Sequence, residues 1–338
     1  MGKACDHTAC FFLHNGATVI NILLVTFPFF ALVLAGFVAT RRSLLPVSAI
    51  PGLNSFVLFF ALPAMLYRFG STTPIAQLLD AAVFGVYLFC ALVMVGFALA
   101  MTMSDRIRWN DGSLGALVAA FPNTGFMGVP LLAALLGPSS VGTVIVLIVV
   151  DMVVTSSLCV ALSRLDGAKG HGTQAMLDAG KKALRGVLSN PMPWAIVLGA
   201  VASAAEFRFP EPVEKTLWLL ADAASPVALF TIGAVLARSQ MQSNHTMPLS
   251  DYWPVVLMKL FLHPVLVLLV GVSAIQLGLP LRADALTVMV LVSALPSASN
   301  VSLLAERLEA DNGRIARIIL VTTAMAFVSF SAAVALLT

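Results

Sequence analysis

Charge is scarce in this sequence. Only 10% of its 338 residues are Asp, Glu, Lys or Arg, against about 25% in a soluble globular domain. Apolar residues make up 59% and the mean hydropathy is +0.98. A chain so poor in charge cannot clothe an ordinary water-facing surface, and a net charge of +3 leaves no basic footprint for nucleic acid. There are four cysteines. Cys90 and Cys159 lie inside apolar runs as packing residues, while Cys5 and Cys10 flank His7 in "CDHTAC". That trio is read as a terminus without metal, so neither a metal nor a cofactor is expected. Nothing matches H-E-x-x-H, G-x-S-x-G or G-x-x-x-x-G-K-[ST], which argues against a zinc hydrolase, a serine hydrolase and ATP-driven work.

Long apolar runs are abundant instead. A membrane span needs about 20 mostly apolar residues, and ten candidates occur: 19–40, 45–67, 81–103, 113–136, 139–162, 190–206, 214–237, 252–278, 284–305 and 315–337. The first exceeds a signal-peptide core and is followed by Arg41 and Arg42, so it reads as a retained helix. The expected fold is therefore an all-α polytopic membrane protein. It divides into an N-terminal repeat (1–162), a basic cytoplasmic linker (163–189) and a C-terminal repeat (190–338). With the N-terminus outside, thirteen Lys and Arg residues fall in cytoplasmic segments and five outside, while Lys259 lies within a span. That bias places both termini on the outer side, in a bacterial inner membrane.

The halves resemble each other. "SFVLFFALPAMLYR" from Ser55 aligns with "SPVALFTIGAVLAR" from Ser225 at an offset of 170, and "AFPNTGFMGVPLLA" in the fourth span faces "ALPSASNVSLLA" in the ninth. Five spans per repeat give the two copies opposite orientation, an inverted repeat common in transporters. The matched motifs contain helix breakers: Pro122, Gly125, Gly128 and Pro130 in the fourth span, Pro296 in the ninth. Proline removes a donor and clashes with the carbonyl four residues earlier. An unsatisfied backbone group in hydrocarbon costs about 2–7 kcal/mol, so such breaks persist only against protein or water. Spans 4 and 9 are therefore expected to be broken and to cross near the midplane. Their half-helix ends would present free N–H groups to a carboxylate. Asn123, Thr124, Ser297, Ser299 and Asn300 would line that site. Asn54 and Ser55, polar in an apolar second span, are cavity-lining candidates, with capping or packing as the alternative.

Three ionisable side chains sit within spans. Asp151 lies mid-way along the fifth. Lys259 and His263 share a face of the eighth, four residues apart. At that depth they are expected to face the bundle interior and to handle protons or charge. Snorkelling of Lys259 and a simple carbonyl bond from His263 are the plainer readings. Asp222, early in the seventh span, is placed at the outer interface.

"NTGFMGVPLL" (123–132) resembles the signature of the auxin efflux carrier family. "ALPSASNVSLLAERLEADNGRIARIILVTTAMAF" (294–327) resembles its bacterial members named as malonate transporters. The resemblance implies ten helices in two inverted five-helix repeats, with spans 1, 2, 6 and 7 as a scaffold and spans 3–5 and 8–10 as a transport domain. It implies elevator-type movement, a homodimer through the scaffold, and substrate at the crossing, with the motif landing on Asn123, Thr124, Gly125, Gly128 and Pro130. Plant members place a second proline where Val301 stands here. The function expected is a secondary transporter of small organic anions, malonate or a related carboxylate, coupled to protons or sodium. An exporter of an auxin-like amphipathic weak acid is the alternative within the class. A non-transporting receptor or an intramembrane enzyme is the alternative outside it.

Overall fold

The computed structural model describes residues 7–73, 80–164, 191–242 and 247–337. Cys5, the side chain of Cys10 and the linker beyond Arg164 fall outside this description. Among the described residues the chain is helical, with no strand beyond one isolated bridge. Seven helices among these residues are long and apolar enough to cross a membrane. They are α1 (His7–Arg41), α2 (Val47–Thr72), α3 (Ala81–Thr102), α6 (Pro138–Ser163), α8 (Glu211–Gln242), α9 (Trp253–Gln276) and α12 (Asn312–Leu337). Among the described residues there are also five shorter helices: α4 (Trp109–Ala120), α5 (Val129–Leu136), α7 (Pro191–Ala204), α10 (Ala283–Ser293) and α11 (Val301–Arg307).

Local chemistry accounts for the boundaries. Asp80 caps α3 by accepting from the Val83 N–H at 3.0 Å, which satisfies one of the orphan amides of the first turn. Gly137 turns the chain between α5 and α6 at φ 87°, a backbone state that strains any side chain bearing Cβ. Three prolines are accommodated by wide, π-type turns over Val57–Ala61, Thr124–Gly128 and Met258–Leu262. Pro63, Pro130 and Pro264 each follow one of these turns. The residue four positions before each proline (Phe59, Phe126, Leu260) lies inside the turn, where its carbonyl is moved out of the ring's way.

Two glycine crossings knit α1, α2, α7 and α8 together. A Cβ on Gly36 of α1 would lie 1.9 Å from the Phe230 carbonyl oxygen of α8, and one on Gly233 would lie 1.9 Å from the Val33 oxygen. Between α2 and α7, a Cβ on Gly199 would fall 2.6 Å from the Tyr67 oxygen, and one on Gly70 3.1 Å from the Ile196 oxygen. Small residues let helix backbones approach this closely, which is how helices associate where lipid removes the hydrophobic drive. Gly199 follows Gly36 by 163 positions, and Gly233 follows Gly70 by the same 163. Arg68 and Asp222 join α2 to α8 through an exposed ion pair at 2.7 Å.

The interrupted segments form the centre. Every residue from Gly112 to Thr124 is buried, and so is every residue from Val288 to Ser299. Irregular backbone is thus enclosed by protein, as a low-dielectric surround requires.

Candidate functional site at the helix interruptions

α4 stops at Ala120 and α10 at Ser293, and the two gaps meet. Pro122 and Ser297 form an isolated antiparallel bridge. The Asn123 N–H donates to the Pro296 carbonyl at 2.8 Å, and the Ala298 N–H donates to the Phe121 carbonyl at 3.0 Å. Each break therefore supplies the partner that the other has lost. The Ser297 hydroxyl donates to the Val118 carbonyl at 2.7 Å, and the Ser297 N–H reaches the Thr322 hydroxyl of α12 at 3.3 Å. Gly128 sits where a Cβ would come within 3.0 Å of Leu295. Gly128, Pro296 and Ser297 thus build the junction without lining its cavities, and Pro130 stands in the first turn of α5, also outside them.

Two small cavities, of about 10 and 20 Å3, flank the junction. Asn54 of α2 lines the first, along with Ala228 and Ile232 of α8, Ser299 and Asn300. The second is lined by Asn123, Thr124, Gly125, Ile148, Met152, Met192 and Asn300. Phe126 and Asn300 border both. At the second cavity the Thr124 amide bonds back to the Pro122 carbonyl at 2.8 Å, and the Met127 and Gly128 amides both bond back to the Asn123 carbonyl at 3.1 Å. The Gly125 and Phe126 amides lie between these, in the first turn of the helix, where an amide has no intrahelical acceptor. Asn300 contributes a buried Oδ1 without a partner. Ser55 is exposed and lines neither cavity. Consecutive helical residues point about 100° apart, so its neighbour Asn54 turns inward and Ser55 outward. Two larger grooves, of about 500 and 630 Å3, lie elsewhere and are lined by apolar residues with Ser273 and Tyr67 as their polar exceptions. They lack the converging polar groups of an anion site.

A second cluster lies beside this one. Asp151, Lys259 and His263 are fully buried. Asp151 Oδ2 accepts from the Tyr87 hydroxyl at 3.0 Å, and its Oδ1 lies 3.5 Å from the Thr155 hydroxyl. Lys259 Nζ donates to the Ser293 carbonyl at 2.6 Å and lies 3.2 Å from His263 Nδ1. The Tyr87 and His263 rings are 6.2 Å apart by their centroids. Ser293 is the last residue of α10, so the ammonium sits at the negative end of a half-helix. Lys259 does not snorkel, and it lies outside both cavities. Sequence reasoning missed Tyr87, whose aromatic body blends into an apolar helix; a lone hydroxyl in the third apolar run was its signal. It also missed Arg314, counted only as a loop cation. That guanidinium is buried and binds the Asp251 carbonyl at 2.6 Å and the Asp111 carbonyl at 2.9 Å.

Helix ends that stop inside a hydrophobic bundle and open onto polar cavities are a device of proteins that carry solutes across membranes, and this chain is an integral membrane transporter. It belongs to the membrane transport protein family, which matches residues 22–334. Its similarity extends to a "Putative malonate transporter" of Rhizobium meliloti (strain 1021), 27% identical over 88% of this chain and 89% of the relative. The "Uncharacterized transporter YfdV" of Escherichia coli (strain K12) is 28% identical over 83% of this chain and 86% of its own. "Auxin efflux carrier component 8" of Arabidopsis thaliana is 21% identical over 65% and 72%.

Proposed function

We propose that the protein is a secondary active transporter of small organic anions, with malonate or a related carboxylate as substrate, and that it works by an elevator-type movement. The observation that carries this reading is the reciprocal pair of hydrogen bonds between the two interruptions, flanked by polar cavities. Asn123, Thr124, Ser299 and Asn300 would orient a carboxylate against the free amides of Gly125 and Phe126. α1, α2, α7 and α8 would form the scaffold, and the remaining helices the moving part; both cavities lie between these groups. Ten spans in two inverted repeats follow if α4–α5 and α10–α11 each count as one interrupted span and α7 as a short one. The glycine pairs support this arrangement, because the α1–α8 and α7–α2 crossings exchange under a single offset of 163. Sidedness is supported by contacts: Arg41 bonds Gln240 at 2.7 Å and Arg314 joins the segments at Asp111 and Asp251, all in stretches read as cytoplasmic. Asp151, Tyr87, Lys259 and His263 would couple a proton to the cycle, and the scaffold would form a homodimer.

Uptake of labelled malonate into proteoliposomes, with and without a pH gradient, tests the reading. Uptake above protein-free vesicles is expected; none would remove malonate. A second reading, an exporter of an amphipathic weak acid, is favoured by the apolar wall that Leu62, Leu66 and Met192 give the second cavity. Competition by an aromatic acetate would select it.

A further inference from the structure

We infer that the site selects a singly charged acid carrying its own hydrogen-bond donor, so that a dicarboxylate is taken in its half-protonated form and the dianion is rejected. This rests on the carboxylate site proposed above and specifies which ionic form of the substrate it takes.

The lining chemistry carries the inference. The polar side chains around the two cavities are Asn54, Asn123, Thr124, Ser299 and Asn300. All are neutral; among the described residues no Lys, Arg or His borders either space. The rest of the wall is apolar: Val57, Leu58, Ile232 and Val235 on one side, Leu62, Leu66, Ile148 and Met192 on the other. One carboxylate has partners here in amide N–H groups and side-chain donors, which hold a single negative charge well. A second carboxylate would enter the same low-dielectric space without a cation, and an unpaired buried charge is far costlier than a neutral group with its hydrogen bonds made.

The buried cation Lys259 is already engaged. Lys259 Nζ is held by the Ser293 carbonyl at 2.6 Å and by His263 Nδ1 at 3.2 Å. Asp151 precedes the cavity residue Met152 in sequence, yet its carboxyl is bonded to Tyr87 and Thr155. A carboxylate there would also repel a dianion. Asn300 adds the second half of the match. Its Oδ1 is buried at the boundary of both cavities with no donor. An orphaned acceptor costs about 1–3 kcal/mol until a donor arrives. The O–H of an un-ionised carboxyl supplies that donor, and the ionised form does not.

The probes are malonate and malonamate, its monoamide. Malonamate keeps one carboxylate and an N–H donor at every pH between 5 and 8, whereas malonate loses its second proton in that range. Binding is measured on the purified full chain by ligand-induced thermal shift and by calorimetry. When only a fraction of a ligand is in the competent form, its apparent Kd rises by the inverse of that fraction. Malonate affinity is therefore expected to fall about tenfold per pH unit once its second carboxyl ionises, while malonamate affinity changes less than threefold. Because malonamate reports any titration of Asp151, Lys259, His263 or Tyr87, the contrast isolates the ligand's own proton. In Asn300→Leu, checked by its melting temperature in the absence of ligand, malonamate should lose its advantage over monomethyl malonate, which has no donor. Malonate binding at pH 8 as tightly as malonamate would overturn the inference and leave the carboxylate site standing. Failure of all three probes to bind at any pH would overturn the carboxylate site, and the inference with it.

Discussion

Alanine at Gly36 is the sharpest test of the packing. Its Cβ would come within 1.9 Å of the Phe230 carbonyl oxygen and 2.7 Å of the carbonyl carbon. Both are backbone atoms of α8, so no side chain can rotate away. An ordinary contact needs 3.4 Å, and about 1.5 Å of separation must open between α1 and α8. Overpacking of this kind costs about 1–3 kcal/mol. Replacing an interior helical glycine with alanine also gains up to about 1 kcal/mol in helix propensity. Gly96→Ala provides the control, because a Cβ there meets nothing within 4 Å. The propensity gain is common to both variants, so their difference isolates the steric term: Gly36→Ala should be less stable than Gly96→Ala by about 1–3 kcal/mol. Denaturant titration in micelles, followed by tryptophan fluorescence, reads this difference. Gly233→Ala should behave like Gly36→Ala, and the double variant should cost less than the sum, since one insertion already parts the helices. Equal stability of Gly36→Ala and Gly96→Ala would refute the close crossing.

Other substitutions test the sites. Ser297→Ala removes the donor to the Val118 carbonyl and should cost about 1–3 kcal/mol, read by thermal melting, with a further loss of ligand-induced shift. Asn123→Ala and Asn300→Ala should each abolish most of the stabilisation given by the best carboxylate; undiminished shifts in both would exclude those asparagines from the site. Tyr87→Phe strips Asp151 of its hydroxyl donor, so it should lower stability by about 1–3 kcal/mol and blunt the response of uptake to a pH gradient. Unchanged gradient dependence would remove Tyr87 from coupling. Lys259→Met leaves the Ser293 carbonyl without its ammonium at the end of α10 and should reduce uptake more than substrate binding, read by comparing flux with thermal shift.

The long helices were legible because twenty apolar residues in a row have few other uses, and the breaks because Pro122 and Pro296 stand in polar stretches inside such runs. Side-chain direction was harder. Asn54 and Ser55 are equal candidates in a list of polar residues, and only the helix phase separates them. The repeat shows the same difficulty. The sequence match runs at an offset of 170, while the glycine crossings run at 163. Seven residues are close to two helical turns, so an apolar helix compared with itself at that shift presents nearly the same face. Composition alone distinguishes such registers poorly; a glycine that admits a neighbouring backbone fixes them. Arg314 was hidden for another reason. Its burial in the first turn of α12 depends on the carbonyls of Asp111 and Asp251, which are far away in sequence.

The bridge between the interruptions also has a consequence during synthesis. Ala298 follows Asn123 by 175 positions. At about 5–20 residues per second, the ribosome needs roughly 9–35 s to cover that distance. Until then the Asn123 amide and the Phe121 carbonyl lack the partners they have in the finished protein, and the fourth apolar run must wait half-made beside the translocon, in water or against a helper. Truncation before residue 298 should therefore leave a nascent chain that quality-control proteases recognise at its own unfinished centre.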